Sequence, residues 1–412
     1  MSAIRANWSN HHTFLASKVH QPQTIAEVQE LVANRAKIGV FGARHSFNGI
    51  ADSPGDLLSL EHLDKVVAID AERRTVTVEG GIRYWQLGPA LHEAGFALHN
   101  LASLPHISVA GAIATGTHGS GDRNGTLSSA VAALDFVTAS GDLLHLHRGD
   151  PDFAGAVVSL GALGIVTHVT LDLQPTFDVR QDVYTGLSWD ALVDGFDTVT
   201  SSAYSVSVFT NWMGAGPTGV WLKTRLPGTP PTRLLDAEPL VTDTHMLDAQ
   251  PPQNTTTQGG VPGPWSDRLA HFRLEFTPSA GEEIQSEYLV PRANALAAIE
   301  AMRALGPRFQ RALLVTELRT MAADDLWLSP AQGRDTVGVH FTWRRDPDAV
   351  YALLPAIEDA LLPLGARPHW GKAFVATDVA DQYPHWNDFR LLRDRMDPTR
   401  KFAGPLLARV GL

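Results

Sequence analysis

The sequence predicts an α+β protein of two domains. A length of 412 residues exceeds one ordinary hydrophobic core. The first 172 residues mix amphipathic helices with β-hairpins instead of repeating regular βαβ units. The remainder sets strand-like runs against two long helices, the pattern of a sheet flanked by helices.

Each element has its own signal. Thr24-Ile25-Ala26-Glu27 reads as a capping box, after which Ile25, Val28, Leu31 and Val32 share one helical face. Val66–Asp70 and Thr75–Val78 form a hairpin across the polar turn Ala71-Glu72-Arg73-Arg74, and Leu134–Val137 and Leu143–Leu146 form another. Between them, Trp85 to Leu98 reads as a helix with Leu87 and Leu91 inward. Ser159–Val166 enters a strand that ends near Gln174-Pro175, which sets the domain boundary: 1–172 and 173–372. Beyond it come strand-like runs at Tyr204–Trp212 and Gly219–Thr224, then a Pro-, Thr- and Gly-rich stretch, Pro227–Pro264, read as a surface excursion. A helix at Arg292–Leu305, strands at Arg311–Arg319 and Asp335–Arg344, and a helix at Ala349–Leu362 follow. The last segment, 373–412, is expected to return to the first domain.

Composition excludes several classes of function. A net charge of −11 opposes binding to nucleic acid or an anionic membrane. No apolar run reaches the eighteen or so residues that span a bilayer. The stretch Met1–Phe14 has no apolar signal region, so a cytoplasmic protein is expected; a monomer is the expected state. With no Cys there are no disulfides, thiolate metal sites or cysteine nucleophiles. Only six of the 33 basic residues are Lys, so each Lys is informative.

Two loops stand out: Phe41-Gly42-Ala43-Arg44-His45-Ser46-Phe47-Asn48 and Ala114-Thr115-Gly116-Thr117-His118-Gly119-Ser120-Gly121. Such loops can wrap a diphosphate with backbone N–H groups. Neither is followed by Gly-Lys-Ser/Thr, which argues against a nucleoside triphosphate. Gly214-Ala215-Gly216-Pro217-Thr218-Gly219 is a literal G-x-G-x-x-G, but a strand follows it instead of a helix, so it reads as a hairpin turn. His145-x-His147 lacks a third ligand and reads as a solvated strand face, and His11-His12 as surface polarity; no metal site is expected.

Strand periodicity groups a second set. Glu317 and Arg319 share one face of a strand, as do His340 and Thr342. Spacing alone permits either a solvent-facing sheet or a polar site. His369-Trp370-Gly371-Lys372, with a lone Lys in an aromatic neighbourhood, favours a site. Glu and Arg can hold adjacent hydroxyls, His can accept an alcohol proton, and Lys and Arg can stabilise an alkoxide.

The two loops resemble those of the vanillyl-alcohol-oxidase superfamily of FAD enzymes. With Asn100–Ser108, Gly111–Gly121, Glu317-x-Arg319, His340-x-Thr342 and His369-Trp370-Gly371-Lys372, the chain is similar to the alditol oxidases from about Asn7 to its end. The resemblance implies a flavoprotein oxidase with an FAD-binding domain and a substrate domain built on an antiparallel sheet. His45 would carry FAD covalently, with Phe41, Gly42, Ala43, Arg44, Ser46, Asn48 and Ser103 along the cofactor. Gly111, Thr115, Gly116, Thr117, His118 and Gly121 would lie on its other side, and Gly161, Gly164 and Ile165 would close over it. Ser103, Glu317, Arg319, His340, Thr342 and Lys372 would line the polyol site before flavin N5, with His340, Lys372 and Arg319 catalytic. The implied reaction oxidises a terminal CH–OH of an acyclic polyol to the aldehyde, and dioxygen then yields hydrogen peroxide. An aldonolactone oxidase or dehydrogenase shares part of the pattern, and a non-catalytic flavin carrier is the alternative from another class. One departure is visible: after Asp397-Pro398, Gly404 stands where the family pattern has Asn.

Overall fold

The computed structural model describes residues 6–247, 250–276 and 281–412. Near the N-terminus, a small parallel sheet pairs Val19–His20 and Ile38–Phe41 with Asp56–Ser59. Beside it, a five-stranded antiparallel sheet runs Val66–Asp70, Thr75–Glu79, Ile165–Asp172, Val131–Val137 and Leu143–His147. Both expected hairpins are there. The helix Ile25–Ala33 starts at Thr24, whose hydroxyl accepts from Glu27 N–H, and buries Val28 and Val32. The expected Trp85–Leu98 helix is shorter, Tyr84–Glu93, because Gly95 takes a left-handed φ of 84° and Phe96–Ala97 pairs as a strand.

The second sheet is antiparallel, and at its centre Ser205–Thr210, Leu313–Met321, Thr336–Arg344 and Glu283–Pro291 lie side by side. Glu283–Pro291 is a strand that the sequence pattern leaves unassigned. Helices Ala295–Phe309 and Pro347–Leu361 pack on one face of this sheet through Ile299, Met302, Phe309, Val350, Leu354 and Ile357. Trp343 anchors that layer: it is stacked on Phe341 at 5.0 Å, meets Phe309 edge-on at 5.6 Å and donates from Nε1 to Ser286 Oγ at 2.9 Å. Trp343→Ala should therefore destabilise the protein by about 3–5 kcal/mol through the cavity left behind. Thermal unfolding of the two proteins checks this, and an unchanged midpoint would mean that the layer collapses around the gap.

The C-terminal tail packs against the N-terminal elements. Ile38 N–H donates to Lys401 O at 3.1 Å, Lys401 Nζ caps Val32 O at 2.6 Å, and Phe402 joins the core of Val28, Val32 and Ile38. Gly404 has a physical reason: a Cβ there would meet Asp52 O at 2.5 Å. His11 and His12 are not surface polarity. His11 Nε2 meets Phe47 O at 3.1 Å and His12 Nε2 meets Asp52 at 3.2 Å, so they fasten the N-terminal segment to the first loop. No helix among the described residues is long and apolar enough to cross a membrane.

Candidate active site

One cavity joins the two loops to the free face of the large sheet. Phe41, Gly42, Ala43, Arg44, His45 and Ser46 line it from the first loop, and Gly111, Thr115, Thr117 and His118 from the second. Arg44 sits at φ 62°, and the backbone N–H groups of Ala43, Arg44, His45 and Ser46 have no acceptor among the described residues. Successive N–H groups around a left-handed residue form an anion-binding nest. Gly161, at φ 74°, has nothing within 4 Å of where a Cβ would stand and leaves the opposite wall open beside Gly164. Free donors, glycine walls and a cavity shared by both loops fit a dinucleotide such as FAD.

Four of the expected cofactor residues lie behind the wall instead. Asn48 donates to Trp370 O at 2.8 Å and Lys372 O at 2.6 Å, which ties the first loop to the His369–Lys372 segment. Gly116 turns its loop at φ 63°, where a Cβ would meet Pro330 at 2.6 Å. Gly121 bridges by its N–H to Thr320 O at 2.8 Å, and Ile165 is fully buried in the core. Sequence position alone does not separate a loop residue that touches ligand from one that shapes the loop.

His45 is half-buried, its ring stacked on Trp8 at 4.9 Å and its Nδ1 3.0 Å from Ala43 O. Burial and the neighbouring His106 push its pKa down to about 3, so it is a neutral imidazole at physiological pH.

The polar pairs face this cavity and not bulk solvent. Register aligns Phe209, Glu317, His340 and Glu287 in one row across four strands, with Thr342 and Gln285 in the next. Glu317, Arg319, His340 and Thr342 are 4–8% exposed. Arg319 donates to Glu287 at 2.7 Å and reaches Ser103 Oγ at 3.3 Å. Burial raises the carboxyl pKa of Glu317, but Arg319 and His271 outweigh it and hold the group well below the usual range. Burial and Lys372 lower His340 to about 4. Lys372 bonds to Gln285, and burial lowers its pKa to about 8. At neutral pH Glu287 and Glu317 are carboxylates, Arg319 and Lys372 are cations, and His340 is a neutral imidazole. His118, Glu287 and His369 bring donor atoms within 4.8 Å of one another, but Arg319 already occupies Glu287, so a second cation there is opposed.

Two contributors were not legible in the sequence. Glu287 lies on the unassigned strand. His271 follows the Pro-rich stretch and sets its Nε2 2.7 Å from Glu317. The backbone just before it is held by Lys223, whose buried Nζ donates to Arg268, Leu269 and Ala270 carbonyls at 2.6–2.9 Å. The Pro227–Pro264 stretch is thus more than a surface excursion, since Met246 and Leu247 also line the cavity; residues 248 and 249 lie outside the described residues. By contrast, the G-x-G-x-x-G at 214–219 is a hairpin loop away from the cavity, and His145 and His147 are exposed.

Residues 16–147 match the FAD binding domain family, and residues 280–410 match the D-arabinono-1,4-lactone oxidase family. A solved solvent-stable cholesterol oxidase has the same fold, with a TM-score of 0.79 at 17% identity, covering 99% of this chain and 97% of that one. Fold, loops and cavity, with the relatives that follow, define an FAD-dependent oxidase. The chain is 46% identical over 416 residues to an alditol oxidase of a Streptomyces species, covering 99% of each. It is 30% identical to an L-gulono-1,4-lactone dehydrogenase of Mycobacterium tuberculosis, covering 100% of this chain and 99% of that one. The chain belongs to the alditol oxidase family.

Proposed function

We propose that this protein oxidises a terminal CH–OH of acyclic polyols such as xylitol and sorbitol to the aldehyde, with FAD attached through His45. The observation that carries the reading is the cross-strand cluster of Glu317, Arg319, His340, Thr342 and Lys372 facing the loop-lined cavity. When bound, FAD supplies the hydride acceptor, and dioxygen takes up the electrons to give hydrogen peroxide.

The side chains divide the remaining work. Glu317, Arg319, Ser103 and Thr342 offer directional partners to a row of hydroxyls. His340, neutral above about pH 4, accepts the alcohol proton. Lys372 is largely protonated at neutral pH, and its charge, with that of Arg319, stabilises the forming alkoxide. Gly42, Ala43, Arg44, Ser46, Gly111, Thr115, Thr117, His118, Gly161 and Gly164 hold the cofactor.

Peroxide release across xylitol, sorbitol, glycerol, propanol and an aldonolactone tests the substrate class. Each unmet buried partner costs about 1–3 kcal/mol, so xylitol and sorbitol should exceed glycerol in kcat/KM by roughly tenfold or more per lost contact, with propanol nearly inert. A lactone that outruns the open-chain polyols would replace this reading with the lactone-oxidising one.

A further inference from the structure

Glu287 stands directly across from His340 in the sheet, and its side chain is 1% exposed. Its two oxygens face different partners. Oε1 accepts from Arg319 Nη2 at 2.7 Å, and Oε2 lies 3.2 Å from His340 Nδ1. Arg319 can cross to it because the residue opposite Arg319 is Gly338, where a Cβ would stand 3.0 Å from Oε1. Other charged or titratable groups around the pair are Glu317, His118, His369 and Lys372. Glu317 is occupied by His271. His118 Nε2 is 3.2 Å from Oε1 of the same carboxylate. His369 accepts Gly371 N–H, and Lys372 bonds to Gln285. No other acceptor is bonded to His340 Nδ1 among the described residues.

An ionised carboxylate only accepts hydrogen bonds, and a neutral imidazole carries one N–H. The hydrogen of His340 therefore belongs on Nδ1. Nε2, beside Thr342 Oγ1 at 3.2 Å, keeps its lone pair.

We propose that Glu287 is a positioning residue that fixes His340 as the Nδ1–H tautomer, which leaves Nε2 to receive the substrate proton, and that also sets the Arg319 guanidinium beside it. The catalytic half of this rests on the proton-acceptor role given to His340 above; the tautomer half does not.

Glu287→Gln makes a sharp test, because Arg319 dictates how the new amide must lie. A guanidinium only donates, so the amide oxygen faces Arg319 and the amide NH2 faces His340. Nδ1 must then accept, and the ring proton moves to Nε2, where it blocks the lone pair. The experiment is two-bond ¹H–¹⁵N NMR of the ¹⁵N-histidine-labelled holoenzyme near pH 7, with the His340 signals assigned by their loss in His340→Gln. The wild type should show Nδ1–H and Glu287→Gln should show Nε2–H. The variant's kcat on xylitol should fall by about 10²–10⁴-fold, the size of a general-base contribution, with bound flavin unchanged.

Nε2–H in the wild type overturns the proposal even if the variant does not fold. An unaltered tautomer in a folded Glu287→Gln also overturns it, since Glu287 would then be only a counter-ion for Arg319. A flipped tautomer with undiminished turnover supports the assignment of Glu287 and removes His340 as proton acceptor.

Discussion

Lys372→Met is expected to lower kcat on xylitol by roughly 10²–10³-fold, the usual loss when one donor to a developing oxyanion is removed. Methionine keeps much of the side chain's length and apolar contact with Phe47, over whose ring Lys372 Nζ stands at 5.5 Å. What disappears is the charge. An interaction made mainly with charge that develops in the transition state appears in kcat more than in KM. The same residue sets a pH limit. Burial holds its pKa at about 8, so the ammonium is present below that pH and lost above it, whereas His340 becomes protonated below about 4. Wild-type kcat/KM should be flat between these limits and decline on both sides. In Lys372→Met the alkaline limb should vanish, because the group that titrates there is gone. Steady-state kinetics from pH 3 to 10 check both statements; full turnover in the variant would remove Lys372 from the mechanism.

His45→Ala should abolish covalent flavin altogether. The chain has no Cys, and His45 is the loop imidazole that burial keeps neutral, with a ring lone pair free to attack the flavin. The unpaired N–H groups of Ala43 to Ser46 do not depend on the imidazole, so FAD should still bind without the tether. Flavin fluorescence of the denatured band in a gel separates the two states. The wild-type band should fluoresce and the variant band should be dark; a fluorescent variant would put the tether elsewhere.

Local chemistry made much of this protein legible in its sequence. The N-cap at Thr24, both hairpins, and the strands carrying Glu317-x-Arg319 and His340-x-Thr342 follow from periods of 3.6 and 2 and from turn residues, which act between near neighbours in the chain. The two loops were visible because a backbone that must approach an anion needs small residues, here Gly42, Ala43 and Ser46 in one and Gly116, Gly119 and Gly121 in the other.

Tertiary structure alone decided which polar face meets the cavity. Glu283–Pro291 carries Glu283, Gln285 and Glu287 on one side, a composition that read on its own resembles a solvated edge or no strand at all. Pairing with Thr336–Arg344 buries those groups beside partners far away in the chain, and that turns Glu287 from a surface acid into the carboxylate facing Arg319 and His340. His271 meets Glu317, and Asn48 and Gly121 stand behind the cavity wall, for the same reason. Register and burial depend on contacts between residues distant in sequence, and no local pattern encodes them.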